Sequence, residues 1–148
     1  MSATIQLGPY RGLTSVLTTG LNALASSTGK AISSAIDNSV NQDLFADLEL
    51  SVTFASAPNV GSVVEVYLLP SIDGGTTYPD GSSSIEPQSA LFVGGFAVRA
   101  VTTAQVLVVR GVALPPGFYK YLVRNTTNVA FPATGSVLDH NPYQLLSV

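Results

Sequence analysis

Hydrophobic and polar positions alternate along most of this chain. From Leu44 to Phe54, "LFADLELSVTF", Leu44, Ala46, Leu48, Leu50, Val52 and Phe54 fall on one parity, and Asp47, Glu49, Ser51 and Thr53 on the other. A period of two predicts a half-buried β-strand with one wet face. After the turn-like "SAPNVG", the run "GSVVEVYLLP" (61–70) reads as its antiparallel partner, stopped at Pro70, which has no N–H to donate to a ladder. Further strands are predicted in "ALFVGGFAVRA" (90–100), "AQVLVVRGVAL" (104–114), "GFYKYLVRNTT" (117–127) and the terminal "SVLDHNPYQLLSV". Strands at this spacing, separated by Gly, Pro, Asn and Asp with no sustained helical period, predict an all-β fold: an antiparallel β-sandwich of jelly-roll type.

The first 42 residues differ. Their only charged residues are Arg11, Lys30 and Asp37, and Ser, Thr, Gly and Asn dominate. "TTGLNALASS" (18–27) predicts a short helix with a Thr cap and "GKAISSAIDN" (29–38) a strand. Residues 1–27 are expected to form an extended N-terminal arm lying on the sandwich or on another subunit, and residues 28–148 a single domain. No internal repeat of solenoid or propeller length is present.

Between the second and third predicted strands lies "SIDGGTTYPDG" (71–81). Asp73, Asp80 and the nearby Glu86 are oxygen donors of the kind calcium uses, but their spacing does not match an EF-hand loop. Asp-Gly pairs meet the backbone demands of turns, because Gly accepts positive φ and Asp caps its own chain. A turn-rich connection at one end of the sandwich is therefore expected, with no metal.

Charge alters the functional expectations. Only 10% of the 148 residues are charged, well under the typical value of about 25%, which suggests that much of the surface is covered by something else. Six basic residues against nine acidic ones give a net charge of −3. The cations Arg11, Lys30, Arg99, Arg110, Lys120 and Arg124 are scattered, so no face is expected to displace counterions from nucleic acid. The chain has no cysteine, hence no disulfide or thiolate chemistry. Its first residues lack the pattern of a secretory signal, which predicts a cytosolic start, and its longest apolar runs are about half of what spans a bilayer.

Candidate chemistry is sparse. His140 is the sole histidine, and its neighbour Asp139 must point to the opposite face of a strand, so the two cannot form a catalytic dyad. Nothing in the acid spacing selects a glycosidase pair. Stacking platforms for a sugar reduce to Tyr10, Tyr78, Tyr119, Tyr121 and Tyr143, and tyrosines on strands more often belong to a core. The sequon "NTT" (125–127) is read as accidental, and "VGGF" (93–96) as a bulge or close approach within a strand. No catalytic residue, cofactor or metal is expected, and the chain reads as a non-enzyme.

Taken together, "VEVYLLPSIDGGTTYPDG", "GFAVRA", "LPPGFYKYLVRNTT" and "GSVLDHNPY" resemble small virion proteins of tailed bacteriophages. In that group a strand ending in Tyr-Leu leads into an Asp-Gly and Tyr-Pro-Asp-Gly loop, and a Leu-Pro-Pro-Gly turn feeds an aromatic strand. The resemblance covers roughly residues 30–145. It implies a β-sandwich structural component of the virion, made in the host cytoplasm and placed on the capsid surface. The first expectation is a cement or decoration protein that binds the major capsid protein, commonly as a homotrimer, and stabilises the assembled head. The alternative is a fibre or spike module that binds host-surface glycan. Asp73, Tyr78 and Asp80 of the loop, with Tyr10 and Arg11 of the arm, are the expected contacts with another subunit or the capsid. A charge-poor arm favours the first, whereas exposed Tyr clustered with an Asp on one sheet face favours the second.

Overall fold

A computed structural model describes residues 5–147. Its strands are β1 (Ile5–Leu7), β2 (Thr14–Leu17), β3 (Lys30–Ile32), β4 (Ile36–Asp37), β5 (Phe45–Val52), β6 (Val63–Pro70), β7 (Phe92–Ala97), β8 (Gln105–Ala113), β9 (Phe118–Asn125), β10 (Val137–Tyr143) and β11 (Leu145–Ser147). One sheet has the order β2-β10-β5-β8, the other β3-β9-β6-β7, with β4 continuing the line of β3 along β9. Every described pairing is antiparallel. Counting β3 and β4 as one interrupted strand, eight strands form two facing sheets, and the chain crosses between sheets at every step except the β6–β7 hairpin. This is the jelly roll that the periodicity predicts. β1 and β11 form a separate two-stranded ribbon that brings the ends of the described chain together.

The expected pairing of 44–54 with 61–70 does not occur: β5 lies between β10 and β8, and β6 between β9 and β7. Both segments bury one face in the same core, from opposite sheets, and the second half of β6 buries its other face as well. Alternation reports which face is buried and says nothing about which strand lies alongside. The core between the sheets includes Leu48 and Leu50 of β5, Val64 and Val66 of β6, Tyr121 and Val123 of β9, and Leu138 of β10.

The residues expected to form an arm are built into the domain instead. β2 pairs with β10, and Leu17, Leu21 and Leu24 are buried in the main core. The predicted helix is a single 3₁₀ turn at Thr19–Leu21, and Thr18 makes no side-chain cap hydrogen bond. Leu17 at the end of β2, Leu21 in the 3₁₀ turn and Leu24 beyond it meet the core from a path of successive turns. Further back, the Gly8 N–H donates to the Gln144 carbonyl at 2.6 Å and the Arg11 N–H to the Pro142 carbonyl at 3.0 Å, so this stretch is tied to β10 and its extension. Residues 1–4 of the expected arm fall outside the described residues.

"NTT" has a structural use. Asn125 and Thr127 are fully buried, and the Asn125 amide donates to the carbonyls of Leu24, Ala25 and Val129 at 3.3, 3.1 and 2.9 Å. These bonds satisfy an irregular buried backbone that no sheet ladder reaches.

The connection from β6 to β7, residues 71–91, determines which face of the molecule is open. It folds back over the outer face of the β3-β9-β6-β7 sheet, where Tyr67, Leu69 and Leu122 form a second buried cluster against Ile32, Tyr78 and Leu91. Gly81 permits that approach: its φ is +149° and a Cβ there would sit 2.8 Å from Leu69 Cδ2 and 3.3 Å from Leu122 Cδ1. Glu86 anchors the far end, 2.7 Å from Lys30 Nζ and 3.5 Å from Arg124 Nε. Gly81→Ala is expected to lower stability by about 1–3 kcal/mol through overpacking, measured by urea unfolding. An unchanged midpoint would show that the loop does not press on this sheet.

His140 faces inward on β10 and is 7% exposed, its ring edge-on to Tyr121 at 6.0 Å. Burial pushes its pKa below 6.5, opposed by the charges of Asp43 and Asp139. The unfolded chain therefore binds the proton more readily than the native one. Stability is fully present above pH 6.5 and is expected to fall as pH drops from 6.5 through the lowered native value. Thermal melts between pH 7.5 and 5 check this, and His140→Gln should flatten that part of the profile.

Candidate ligand-binding face

With one sheet covered, the outward side chains of β2-β10-β5-β8 are left as an open face. Its register sets them in rows. Tyr143 of β10 lies opposite Phe45 of β5, Asn141 opposite Asp47, Asp139 opposite Glu49, and Val137 opposite Ser51. On the other side of β5, Glu49 faces Val108 and Ser51 faces Val106. The result is an aromatic row, a polar row, an acidic row and an apolar row.

Asp47 sits where the β5–β8 register slips. Ala46 pairs with Val112 and Leu48 with Val109, so Asp47 stands opposite both Arg110 and Gly111. Gly111 adopts φ +67°, which an L side chain accepts only with strain, and its N–H thereby points at Asp47 Oδ1 at 2.9 Å. Asp47 Oδ2 also accepts from Arg110 Nε at 3.1 Å and from the Tyr10 hydroxyl at 2.6 Å. Burial alone would raise the Asp47 pKa, but hydrogen bonds from Tyr10, the Gly111 N–H and Arg110 outweigh it and hold the carboxyl below its ordinary range.

Tyr10 is thus pinned over the sheet by its hydroxyl, while its ring meets Tyr143 edge-to-face at 5.2 Å. Tyr143 in turn stacks on Phe45 at 5.8 Å. Asn141 is oriented by accepting from the Gly12 N–H at 3.0 Å. Beside Tyr10, on the side away from Tyr143 and Phe45, which do not line it, is a cavity of about 370 Å³ lined by Tyr10, Leu13, Asp47, Leu48, Glu49, Val108, Arg110 and Asn141. Its volume suits one or two sugar-sized rings, and it sets apolar walls beside convergent donors and acceptors.

The expected contact residues separate. Tyr10 belongs to this face. Arg11, next in sequence, points to another cleft and pairs through Nε with both oxygens of the buried Asp43 at 2.6 and 2.7 Å. Asp73 is consumed by its own turn, accepting from the Thr77 hydroxyl and N–H, the Ser71 hydroxyl and the Thr76 N–H, which together pull its pKa down to about 2. Tyr78 packs under the loop with Lys120 Nζ 4.1 Å from its ring centre, and Asp80 is exposed in the same loop, remote from Tyr10 in the fold. Tyr119 and Tyr121 are core residues, as expected of strand tyrosines. Asp139 and His140 point to opposite faces: Asp139 accepts from the Ser15 hydroxyl on the outside, and His140 is inside.

Phe45, Asp47, Glu49, Arg110 and Asn141 were not singled out by sequence. The available signal was the wet parity of 44–54 together with Arg110-Gly111 inside an otherwise apolar strand, a glycine placed where a bulge re-aims its neighbours. Among the described residues no group of three or more His, Asp or Glu side chains is arranged to hold a metal ion. Nor is any described helix long and apolar enough to cross a membrane.

No protein family and no curated protein matches this chain. Among solved structures it is similar to a carbohydrate-binding module, CBM36, in complex with calcium and xylotriose, with 12% identity over 98% of this chain and 99% of that one and a TM-score of 0.43. It is similar to a CBM35 from Paenibacillus barcinonensis, with 12% identity, 95% and 98% coverage and a TM-score of 0.40. It is also similar to part of the GH26-CBM35 β-(1,4)-mannanase of Podospora anserina, with 12% identity over 95% of this chain and 27% of that one and a TM-score of 0.47. Likenesses at this level carry no function to this chain.

Asp47→Ala is expected to cost about 1–2 kcal/mol in urea unfolding, because it leaves the Gly111 N–H, Tyr10 and Arg110 without their shared acceptor. Asp47→Asn should cost less, since one acceptor oxygen remains. If both variants melt like the parent, the network does not hold Tyr10 in place.

Proposed function

We propose that this protein binds carbohydrate on the outer face of the β2-β10-β5-β8 sheet, as a glycan-recognition module of a phage fibre or spike. The observation that carries the reading is one cavity lined by the Tyr10 ring together with Asp47, Arg110 and Asn141, with Tyr143 and Phe45 continuing the aromatic row behind Tyr10. A pyranose ring has an apolar C–H face and a rim of hydroxyls. An aromatic wall takes the first, and fixed carboxylate, guanidinium and amide groups take the second. Exposed Tyr clustered with Asp on one sheet face is the arrangement that separates a glycan-binding module from a cement protein, so the order of the two expectations reverses.

Binding, rather than cleavage, fits the carboxylates. Asp47 is held ionised by three donors and so is no proton donor near neutral pH. Asp47 and Glu49 stand two residues apart on one face of one strand, whereas a glycosidase flanks the scissile bond with its two carboxyl groups. Placement in a virion rests on the sequence resemblance alone.

A second reading keeps the cement or decoration role, through the major capsid protein or a homotrimer. It is favoured by the β1–β11 ribbon, whose residues carry no charge and whose Ile5 and Leu7 are each 70% exposed. An isolated two-stranded ribbon is marginal in water and gains from a covering subunit. Copy number per particle separates the readings, since hundreds spread over the shell indicate cement and a few dozen at one site an appendage.

The binding reading is tested on a glycan array and by titration with the oligosaccharides the array identifies. Tyr10→Ala should weaken binding about tenfold or more, the loss of one aromatic contact of roughly 1.4 kcal/mol, and Tyr143→Ala, which removes the ring supporting Tyr10, should weaken it by less. Absence of any array signal at millimolar glycan, or full affinity in both variants, would sink it.

A further inference from the structure

We infer that Glu49 sets the charge class of the ligand: the cavity takes uncharged sugars and rejects uronic, sialic and sulfated ones. The inference rests on the carbohydrate reading above and concerns the same cavity. Asp47, Glu49 and Asp139 project from this face on adjacent strands, and Arg110 is the cation among them. Three carboxylates and one guanidinium leave a net charge of −2.

Arg110 does not offset the pair beside it. Its Nε is engaged by Asp47 at 3.1 Å and its Nη2 lies 3.4 Å from the Tyr10 hydroxyl, which turns the guanidinium toward the aromatic row. None of the ion pairs among the described residues involves Glu49 or Asp139. Yet these two are directly cross-strand partners. Like charges placed opposite each other destabilise a sheet, and an uncompensated pair raises the cost of bringing a third anion near.

Glu49 is the member of that pair that lines the cavity, whereas Asp139 is engaged by Ser15 at its edge. A sugar hydroxyl can donate to the Glu49 carboxylate, and a ligand carboxylate or sulfate has no proton to offer it. The site thus rewards a neutral ring through the same atom that repels an acidic one, and that atom needs no rearrangement to do both.

The test compares matched ligands that differ at one carbon. Tetrasaccharides of glucose, galactose and mannose, and the same chains with C6 oxidised to the carboxylate, are titrated at low salt by calorimetry. The neutral form of whichever chain binds is expected to be favoured by about tenfold or more, the size that one or two partly screened like charges produce at this range. Raising salt should shrink the ratio. Glu49→Gln should cut it several-fold, and Asp139→Asn less, with thermal melts confirming that both variants fold. Equal affinity for a neutral chain and its oxidised form, or an unchanged ratio in Glu49→Gln, overturns the charge selection and leaves the carbohydrate site standing. Binding to neither form of any chain, together with a silent glycan array, overturns the carbohydrate reading itself.

Discussion

The unequal covering of its two sheets governs the architecture. A jelly roll exposes two outer faces, and here the β6–β7 connection lies across one of them. Leu69 and Leu122 are wholly buried although they point away from the main core, because residues 71–91 form a second apolar layer over them. Lys30 and Arg124, which project from the covered sheet, pair with Glu86 of the loop instead of meeting solvent. A stretch rich in turn signals therefore covers part of the sheet through Tyr78 and Leu91, while Ile72 at its start stays exposed. Any ligand seeking a flat, rigid platform is directed to the other sheet.

On that open sheet, organisation radiates from Asp47. The register slip between β5 and β8 aims Arg110 and the Gly111 N–H at one carboxylate, and the same carboxylate catches the Tyr10 hydroxyl from a segment nearly forty positions earlier. The bulge thus fastens the N-terminal stretch to the middle of the sheet and fixes an aromatic ring over a polar floor. Arg11 anchors the same stretch from the other side through the buried Asp43. Two adjacent residues held by two different carboxylates leave this segment little freedom to swing away.

What was legible in the sequence follows from what periodicity measures. Apolar runs and turn signals located β5, β6, β8, β9 and β10, and alternation separated the faces of β5 and β9, because burial of one face is a local property of a strand. It did not identify neighbours: β5 and β6 read as a hairpin, yet they belong to opposite sheets, since pairing is decided by where the connection between them travels. Low charge in residues 1–27 read as an arm, whereas Leu17, Leu21 and Leu24 enter the core without any regular period to announce them. Tyr10 was singled out as an expected subunit or capsid contact. Its partners were not, because Asp47, Arg110 and Asn141 come from three separate strands and converge only through register.

The scarcity of charge also takes on a different meaning. Of nine acidic residues in the chain, several are spent locally: Asp37 and Asp73 in their own turns, Asp43 on Arg11, Glu86 on Lys30 and Arg124, and Glu65 on Tyr67 and Arg124. Three of the remaining carboxylates are concentrated on one sheet face with a single guanidinium. In a protein with a densely charged surface such a cluster would be one patch among many. Here the surrounding Ser, Thr, Asn and Val contribute no compensating field, so the potential over the cavity is set by these few groups. A charge-poor surface that favours burial against other subunits is equally one on which a small acidic cluster governs what approaches the open face.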